Sequence, residues 1–440
     1  MSHLKMNASN SSNWEMNNVK LYSKLFLLVI FITVSSCSTT YKLKRDFNKS
    51  QKDSEFFKGF VLYNPKTEKQ IINHNGAKFF TPASNTKLYT FYSAYKILGD
   101  SIKGLEYLKK NDTLYIKGTA DPTLLFGFEE SKTIPFLKNH NGPIVLIDEA
   151  LNDNSYGDGW TWEDYQYYYM PERSLFPMYG NVVTYSMNGD SITSNPSYFK
   201  NNITVLDSIN KNREFEENQF YLERLDSTSN YIPFKTSTKL IAELLSDTLK
   251  KPLTVSSQKK DLDFKPLYSV EVDSVYKQML VVSDNFIAEQ LMLQVAKKTR
   301  DTYNVEDGIA YILENQLQNL PQKPVWIDGS GLSAYNLFTP EDTVHLLTKM
   351  YQEIPLGKLL NYFAVGGKSG TLRNWYGGKD KPYVYAKSGT ISNTYCLSGY
   401  LITKKGTLLI FSYMNNNYNQ PTSKIRSQIQ DHLSKIYEKY

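Results

Sequence analysis

The sequence predicts an α+β fold in which strands from both ends of the chain pair in one antiparallel sheet, interrupted by a large insertion. Two hairpin patterns lie on either side of a long middle region, and apolar residues at helical spacing follow the first hairpin. The length of 440 residues exceeds one typical hydrophobic core. We therefore expect two or three domains, or one domain that carries an inserted region.

The composition is that of a folded protein with a nearly balanced surface charge. Charged residues make up 21% of the chain, aromatic residues make up 14%, and the formal net charge is only +6. This balance gives little support to nucleic-acid binding, because proteins that bind nucleic acids concentrate positive charge on their surface. We therefore predict no nucleic-acid partner.

The first segment of the chain is typical of an export signal. Lys20 and Lys24 precede an apolar stretch, residues 25–34, which is too short to span a bilayer but matches the hydrophobic region of a secretory signal. The stretch ends in Val-Ser-Ser-Cys at Cys37, which resembles a bacterial lipobox. A simple signal peptide with an incidental cysteine is the alternative. We predict that residues 1–36 form a lipoprotein signal peptide.

A lipid on Cys37 would tether the exported chain to a bacterial membrane, with the protein in the periplasm. Residues 37–55, rich in Lys, Ser and Asp, are predicted to be a linker. The chain has two cysteines, so this assignment leaves Cys396 without a partner for an intramolecular disulfide.

The first hairpin and the helix after it come next. Residues 57–63 are predicted to form a strand, residues 64–67 a turn and residues 69–74 the returning strand. A helix is predicted from Ser84, because apolar residues recur there at helical spacing. Lys87 lies one turn along on the same helical face, so its amine can reach the Ser84 oxygen.

The middle region differs from the segments on either side of it. Residues 100–265 contain short strand-like pieces, such as 113–117 and 144–147, and a closing helix near 237–249. No nucleophile motif lies in this region, and we interpret it as one or more inserted domains. The discontinuous core then comprises residues 56–99 and 266–440.

The residues from Ser84 to Lys87 form the first of three polar boxes, a Ser-x-x-Lys pattern. The second half of the core carries the other two. Ser-Asp-Asn at 283–285 lies on an apolar segment. A Lys-Ser-Gly-Thr box at 387–390 leads into the second hairpin, residues 395–401 and 408–413. An amphipathic helix is predicted at 423–437.

Lys-Ser-Gly-Thr occurs twice, at 368–371 and at 387–390. The second copy follows Tyr-Val-Tyr and precedes a hairpin, which predicts a strand, whereas glycines and polar residues around the first copy predict a loop. A strand can line a cleft with its backbone, and its glycine permits a close approach. We therefore assign the functional role to the copy that contains Lys387. Whether the loop at 368–373 contacts the cleft or is a purely structural turn stays open.

Together the three boxes supply the groups of an active-site serine acyltransferase. A serine hydroxyl needs a neighbouring base, and a buried lysine near another cation has a lowered pKa that suits it to this role. We predict that Ser84 is the nucleophile and Lys87 its base. Lys387 is expected to disfavour protonation of Lys87 and to pair with a substrate carboxylate.

The remaining groups complete the predicted chemistry. Ser283 can relay a proton to the leaving amine, and the Asn285 side chain can hold a substrate amide. The backbone N–H groups of Ser84 and Thr390 are expected to bind the oxyanion. Each box alone is weak, because Ser-x-x-Lys is more often a surface pair on a helix and Ser-Asp-Asn more often a cap.

Metal and nucleotide chemistry find no support in the sequence. A Walker pattern around the first Lys-Ser-Gly-Thr copy would need glycine at the position of Tyr362. The histidines show no spacing typical of metal ligands; they are His3, His74, His140, His345 and His432. We therefore predict no metal site and no cofactor.

The order and flanks of the boxes resemble the class C low-molecular-mass penicillin-binding proteins, which are D-alanyl-D-alanine carboxypeptidases and endopeptidases. The likeness extends over nearly all of the chain after residue 56. It rests on residues 81–88, Met279 with 283–285 and 288–289, 328–333 with 339–340, and 386–390, and inside the insertion on 118–124, Trp162, Asp164, Pro171 and Asn181.

The resemblance implies a five-stranded antiparallel sheet flanked by helices, interrupted by extra domains between the first and second boxes. It also implies catalytic roles for Ser84, Lys87 and Ser283, and substrate-binding roles for Asn285, Lys387, Ser388, Gly389 and Thr390. Two departures from the family pattern are present. Ser388 replaces the usual threonine and keeps its hydroxyl, and the loop at 366–373 lacks the usual aspartate before Gly-Thr-Leu.

The activity implied by the resemblance is cleavage of the D-Ala-D-Ala bond, or of the D-configured cross-link, in peptidoglycan stem peptides through an acyl-Ser84 intermediate. β-Lactams would then be covalent inhibitors. A β-lactamase is the first alternative, for which Glu314 is a near miss as a deacylating base on an amphipathic helix. A non-catalytic peptidoglycan-binding lipoprotein is the second. Carboxypeptidase or endopeptidase preference and oligomeric state stay open.

Overall fold

A computed structural model describes residues 41–45, 47, 55–189, 191–224, 228–257, 263–378 and 381–440. Its strands are β1 (Phe57–Asn64), β2 (Lys69–His74), β3 (Ser101–Lys110), β4 (Thr113–Lys117), β5 (Ile144–Ile147), β6 (Val182–Asn188), β7 (Ser191–Asn195), β8 (Ile203–Leu206), β9 (Phe220–Glu223), β10 (Asn230–Pro233), β11 (Leu253–Ser256), β12 (Lys265–Glu271), β13 (Ala364–Val365), β14 (Val384–Ile391), β15 (Thr394–Ile402) and β16 (Leu408–Asn416). Its α-helices are α1 (Lys87–Ile97), α2 (Thr133–Lys138), α3 (Thr238–Leu249), α4 (Val272–Val281), α5 (Asn285–Arg300), α6 (Val305–Asn315), α7 (Pro340–Glu353), α8 (Leu356–Asn361) and α9 (Thr422–Lys439).

The sheet that carries the site contains strands from both ends of the chain. Its order is β13-β14-β15-β16-β1-β2, and every neighbouring pair is antiparallel. The predicted α+β class is therefore confirmed. Five strands form the body of the sheet, as the resemblance implied, and β13 adds a sixth at the edge, where it pairs with β14 over two residues only.

Helices cover both faces of this sheet, so its central strands are buried on both sides. All but the last residue of β15 are buried, and a strand covered on both faces needs apolar or hydrogen-bonded residues at nearly every position. Helices α1, α4, α5 and α7 contribute to the core on one face, and α9 contributes to the core on the other. Cys396 of β15 lies opposite Gly389 of β14 and packs against Phe80 and Met414.

The inserted region has sheets of its own. The largest has five strands in the order β11-β5-β4-β3-β12, and smaller sheets comprise β10-β6-β7 and β8-β9. A separate core, to which α3 contributes, fills this region. The predicted boundary at residue 265 falls at the start of β12, which pairs with β3 as far as Glu271. The inserted sheet thus extends six residues past that boundary, because the chain completes an edge strand before it returns to the core.

The predicted signal peptide and Cys37 lie outside the described residues, as does most of the predicted linker. From the segment that follows Cys37, the side chains of Leu43 and Phe47 are buried in the core on the α9 face of the main sheet. Among the helices that the structure describes, none combines the length and the apolar character needed to cross a membrane.

Candidate active site

Ser84 lies in a single 3-10 turn, Ala83–Thr86, immediately before α1. Ala83 has a φ of 47°, in the left-handed region that residues with a side chain rarely adopt. Strain of this kind is commonly retained where a side chain must be held in a particular direction. Ser84 is partly exposed and lines a cleft of about 1010 Å3 between the core and the inserted region.

Lys87 is fully buried and its amine contacts three oxygen atoms. Lys87 Nζ is 3.0 Å from Ser84 Oγ, 2.5 Å from Asn285 Oδ1 and 2.6 Å from the Ser330 carbonyl oxygen. A neutral amine has two N–H hydrogens and one lone pair. Because the amide and carbonyl oxygens can only accept, they take the two hydrogens and leave the lone pair for the Ser84 hydroxyl. This geometry suits proton transfer from Ser84 to Lys87.

Burial and nearby charges have opposite effects on the protonation of the Lys87 amine. Burial lowers the pKa of Lys87 to about 8, because the charged form loses its hydration. The negative charges of Asp328, Glu289 and Asp284 oppose this effect and raise the pKa.

Lys387 on β14 is also fully buried, and it lies beside Ser283. Lys387 Nζ donates to Ser283 Oγ at 2.8 Å and to the Ser388 carbonyl oxygen at 2.5 Å. Its pKa is lowered well below the usual value, first by burial and then by the positive charge of Lys87. Because repulsion between two positive charges is mutual, it disfavours the state in which both amines carry a proton.

Ser283 and Asn285 lie at the start of α5. Ser283 has a φ of 67°, the second left-handed residue that contributes to the site. Asp284 caps the helix by accepting from the Ile287 N–H at 3.0 Å. Asn285 donates through Nδ2 to the Tyr169 carbonyl oxygen at 2.8 Å, which orients its Oδ1 towards Lys87. Both ends of this amide therefore contact protein atoms, in addition to its predicted role towards a substrate.

The glycine of the second Lys-Ser-Gly-Thr copy permits a close contact between strand and turn. A Cβ atom on Gly389 would lie 2.6 Å from the Pro82 carbonyl oxygen and 2.8 Å from the Ser84 nitrogen. Those separations are shorter than real Cβ contacts, so only glycine lets β14 lie directly against the Ser84 turn. Thr390 is exposed and lines the cleft one residue further on.

The first copy forms a turn, in agreement with the predicted loop. The last two residues of the copy belong to a 3-10 turn, Gly370–Leu372, and Lys368 is exposed. Thr371 lines the cleft, and its Oγ1 accepts a hydrogen bond from Ser388 Oγ at 2.7 Å. The loop therefore contacts the cleft, which decides the question that the sequence left open.

Several residues around the site have no role that the sequence predicted. Asp328 accepts hydrogen bonds from the N–H groups of Gly331 and Ser333, and Glu289 accepts one from the Ser330 N–H. A signal for Glu289 did exist, because an acidic residue stands among apolar residues on α5. Arg426 of α9 also lines the cleft, and no local pattern could have placed it there.

The part of the chain that the structure describes contains no cluster of three or more His, Cys, Asp or Glu side chains arranged to hold a metal ion.

Known proteins match this chain over most of its length. The profile of the D-Ala-D-Ala carboxypeptidase 3 (S13) family matches residues 46–436. The D-alanyl-D-alanine carboxypeptidase DacB of Haemophilus influenzae is 24% identical over 448 residues, covering 91% of each chain. The crystal structure of penicillin binding protein 4 (dacB) from Haemophilus influenzae superimposes with a TM-score of 0.72 at 20% identity, over 91% of this chain and 99% of that one. Its complex with a novel beta-lactam gives a TM-score of 0.67 at 18% identity with the same coverage.

Proposed function

The chain belongs to the D-Ala-D-Ala carboxypeptidase 3 (S13) family, and we propose that it cleaves D-alanyl peptide bonds of peptidoglycan stem peptides with Ser84 as the nucleophile. The family assignment makes it a serine-type D-Ala-D-Ala carboxypeptidase. The observation that carries the residue assignment is the 3.0 Å contact between Ser84 Oγ and the buried Lys87 amine, whose pKa is lowered to about 8.

Acylation begins with proton transfer from Ser84 to the neutral Lys87 amine. Ser84 Oγ forms a bond to the carbonyl carbon of the penultimate D-alanine, and the carbonyl oxygen becomes an oxyanion. The backbone N–H groups of Ser84 and Thr390 are the donors proposed for this oxyanion. The proposal is supported by Gly389, which lets β14 lie directly against the Ser84 turn.

Collapse of the tetrahedral intermediate breaks the C–N bond, and the departing amine needs a proton. Ser283 is proposed to deliver it, because its hydroxyl contacts Lys387 Nζ at 2.8 Å and lines the same cleft. The proton that Lys87 took from Ser84 is proposed to return to Ser283, which restores the neutral amine and the Ser283 hydroxyl. Water then attacks the acyl-Ser84 ester while Lys87 accepts a proton from that water. Lys87 returns this proton to Ser84 Oγ as the ester C–O bond breaks, and the acid product leaves. Each half of the cycle returns the protons that it takes up.

Binding of the terminal carboxylate is proposed to involve the second Lys-Ser-Gly-Thr copy. The hydroxyls of Ser388 and Thr390 line the cleft, and so does the guanidinium-bearing side chain of Arg426. Lys387 is buried, and its amine contacts Ser283 Oγ, whose residue lines the same cleft. Asn285, also in the cleft lining, is proposed to hold the substrate amide while it contacts Lys87.

The β-lactamase alternative receives no support from Glu314. This residue is on α6, and its carboxylate forms an exposed ion pair with Arg300 instead of lining the cleft. The non-catalytic alternative is disfavoured by the family assignment and by the arrangement of Ser84 and Lys87.

We also propose that the protein is exported and held at a bacterial membrane, in the periplasm, by a lipid on Cys37. The proposal is supported by the apolar stretch and lipobox-like sequence before this cysteine. Mass spectrometry of the protein from membranes, compared with a Cys37→Ser variant, tests it. A soluble, unacylated wild-type chain would contradict the proposal.

Covalent labelling tests the proposed nucleophile directly. We expect purified protein to react with fluorescent penicillin, and the Ser84→Ala variant to remain unlabelled. Ser392→Ala is the matched control, because Ser392 lines the cleft without a proposed role in the reaction. Intact-mass and peptide analysis should place the acyl group on Ser84. Labelling of Ser84→Ala at the wild-type rate would overturn the assignment.

Digestion of purified muropeptides tests the reaction itself. Release of D-alanine from monomers is the carboxypeptidase outcome, and conversion of cross-linked dimers to monomers is the endopeptidase outcome. Absence of both products from a chain that is labelled by penicillin would contradict the proposed function.

A further inference from the structure

We infer that the inserted region completes the site of the general base, because Trp160, Tyr169 and Arg173 fix the core groups that hold Lys87. This inference rests on the proposed function, in which Lys87 accepts the proton of Ser84. The inserted region lies between the first and second boxes in sequence, yet it contacts the lysine's surroundings at three separate points. In each contact, the core group either touches Lys87 itself or holds the segment whose carbonyl oxygen touches Lys87.

The first contact fixes the orientation of an amide. Asn285 Nδ2 donates to the Tyr169 carbonyl oxygen at 2.8 Å, and Asn285 Oδ1 accepts from Lys87 Nζ. If the amide were reversed, an NH2 group would face the amine and compete for its lone pair. The Tyr169 carbonyl therefore determines that an acceptor faces Lys87.

The second contact fixes the carbonyl of Ser330. Glu289 Oε1 accepts from the Ser330 N–H at 2.7 Å, and Glu289 Oε2 accepts from Arg173 Nε at 3.0 Å and Nη2 at 2.7 Å. The side chains of Arg173 and Glu289 are each only 3% exposed. A further bond joins Arg173 Nη1 to Asp153 at 3.1 Å. Arg173 thus holds the carboxylate that holds Ser330.

The third contact fixes the loop that carries Ser330. Trp160 Nε1 donates to Asp328 Oδ2 at 2.8 Å, and the same oxygen accepts from the Ser333 N–H at 2.7 Å. The other carboxylate oxygen accepts from the Gly331 N–H at 2.8 Å. Since Asp328 is fully buried, the indole N–H is one of the donors that compensates its loss of hydration.

The three contacts together determine where the lone pair of Lys87 points. Its two acceptors, Asn285 Oδ1 and the Ser330 carbonyl, direct the lone pair to Ser84 only while both stay in place. Trp160, Glu289 and Arg173 are accordingly positioning residues, since none of them contacts the amine or the serine in this arrangement. Loss of their contacts is expected to slow acylation without removing any reacting group.

Variants in the inserted region test this inference by the rate of acylation as a function of pH. Trp160→Phe removes the N–H donor but keeps a ring beside Arg173, whose guanidinium lies 5.3 Å from the indole. The double variant Arg173→Gln with Glu289→Gln removes both buried charges together, so that neither is left unpaired. Lys117→Gln is the control, because its ion pair with Glu149 also lies in the inserted region but makes no contact with the surroundings of Lys87.

We expect Trp160→Phe to lower the acylation rate about fivefold, which is the size of one lost hydrogen bond. The double variant is expected to lower it roughly tenfold to a hundredfold. Its pH profile should also move to lower pH, because the Glu289 charge that raises the pKa of Lys87 is gone. Asp328, Asp284 and Lys387 are the other charged groups that face this amine, and all three are unchanged. Lys117→Gln should match the wild type in rate and pH profile.

The outcomes separate this inference from the proposed function. Wild-type rates and pH profiles in folded Trp160→Phe and in the double variant would overturn the inference while the function stands. If the double variant does not fold, as judged by circular dichroism, Trp160→Phe alone decides. A wild-type chain that penicillin does not label at any pH would overturn the proposed function, and the inference with it.

Discussion

The two Lys-Ser-Gly-Thr copies in this chain have the same four residues and entirely different structures. The copy at 387–390 lies on β14, and its lysine is fully buried against Ser283. The copy at 368–371 forms a tight turn, and its lysine is exposed. The tetrapeptide itself therefore determines neither conformation nor burial.

The residues around each copy account for the difference. Before the first copy, Gly367 has a φ of 72° and donates its N–H to the carbonyl oxygens of Leu372 and Trp375, which folds the chain back on itself. The second copy is flanked by residues that pair with β15 along the whole strand. The copies also touch, through the bond from Ser388 Oγ to Thr371 Oγ1. One copy supplies the proposed reacting surface, and the other borders it.

Replacement of the two lysines should give the largest difference between the copies. We expect Lys387→Met to lower the rate of acylation by penicillin roughly a thousandfold, because it removes the amine that contacts Ser283 Oγ. Lys368→Met should stay within about twofold of the wild type, since the side chain is exposed and is not among the cleft-lining residues. Stopped-flow or gel-based labelling measures both rates. Equal losses in the two variants would remove the functional distinction.

Gly389→Ala should reduce activity more than Gly370→Ala does, whereas Gly370→Ala should reduce stability more than Gly389→Ala does. Gly389→Ala displaces the Ser84 turn and is expected to lower acylation about a hundredfold. Gly370→Ala is expected to cost more stability, about 2–3 kcal/mol, because Gly370 has a φ of 53° and its Cβ would meet the Val281 carbonyl oxygen. Its acylation rate should fall about tenfold or less. Urea denaturation and penicillin labelling provide the two measurements, and the same order in both would contradict this prediction.

Only the buried lysines should determine how the rate of acylation depends on pH. The rate of acylation is expected to rise with pH and to reach half its maximum near pH 8, because the neutral Lys87 amine is the reactive form and its pKa is about 8. Lys368→Met should reproduce this curve, since the exposed lysine takes no part. Rates measured between pH 6 and 10 test both statements. A rate independent of pH in this range would contradict the role of Lys87.

Replacement of Ser388 and of Ser369, the serines of the two copies, should have the smallest effects on acylation and stability. Ser388→Ala loses the bond to Thr371 and is expected to slow acylation about fivefold, whereas Ser388→Thr should be close to the wild type. Ser369 Oγ accepts from the Val365 N–H at 2.9 Å, so Ser369→Ala should cost about 1 kcal/mol of stability and leave the rate unchanged. Thermal denaturation and labelling of the three variants provide the test. Slower acylation by Ser369→Ala would show that the first copy does more than border the cleft.

Local sequence patterns predicted the two hairpins of the main sheet, the last helix and a few elements of the inserted region. The strand predicted at 69–74 is β2, and the helix predicted near 237–249 is α3, with Ser237 as its cap. The last helix extends only a few residues beyond the predicted 423–437. These elements have regular spacing of apolar residues and clear end signals, which depend on neighbours in sequence.

Contacts between distant segments could not be predicted in this way. The carbonyl oxygen of Tyr169 that orients Asn285 lies 116 residues earlier in the chain, and a backbone atom leaves no mark on the sequence. The end of the inserted sheet at Glu271 depends on pairing with β3, more than 150 residues away. Arg426 reaches the cleft only because α9 packs beside the main sheet. In each case the partner is determined by tertiary packing.

The thiol of Cys396 offers a means of following the integrity of the catalytic sheet. It is fully buried opposite Gly389, and burial raises its pKa to about 12, so the folded protein should resist alkylation. A chain produced without Cys37 carries it as the single cysteine. The speed of maleimide modification would then report how often β14 and β15 separate from their neighbours, and would distinguish a variant that has lost chemistry from one that has lost its fold.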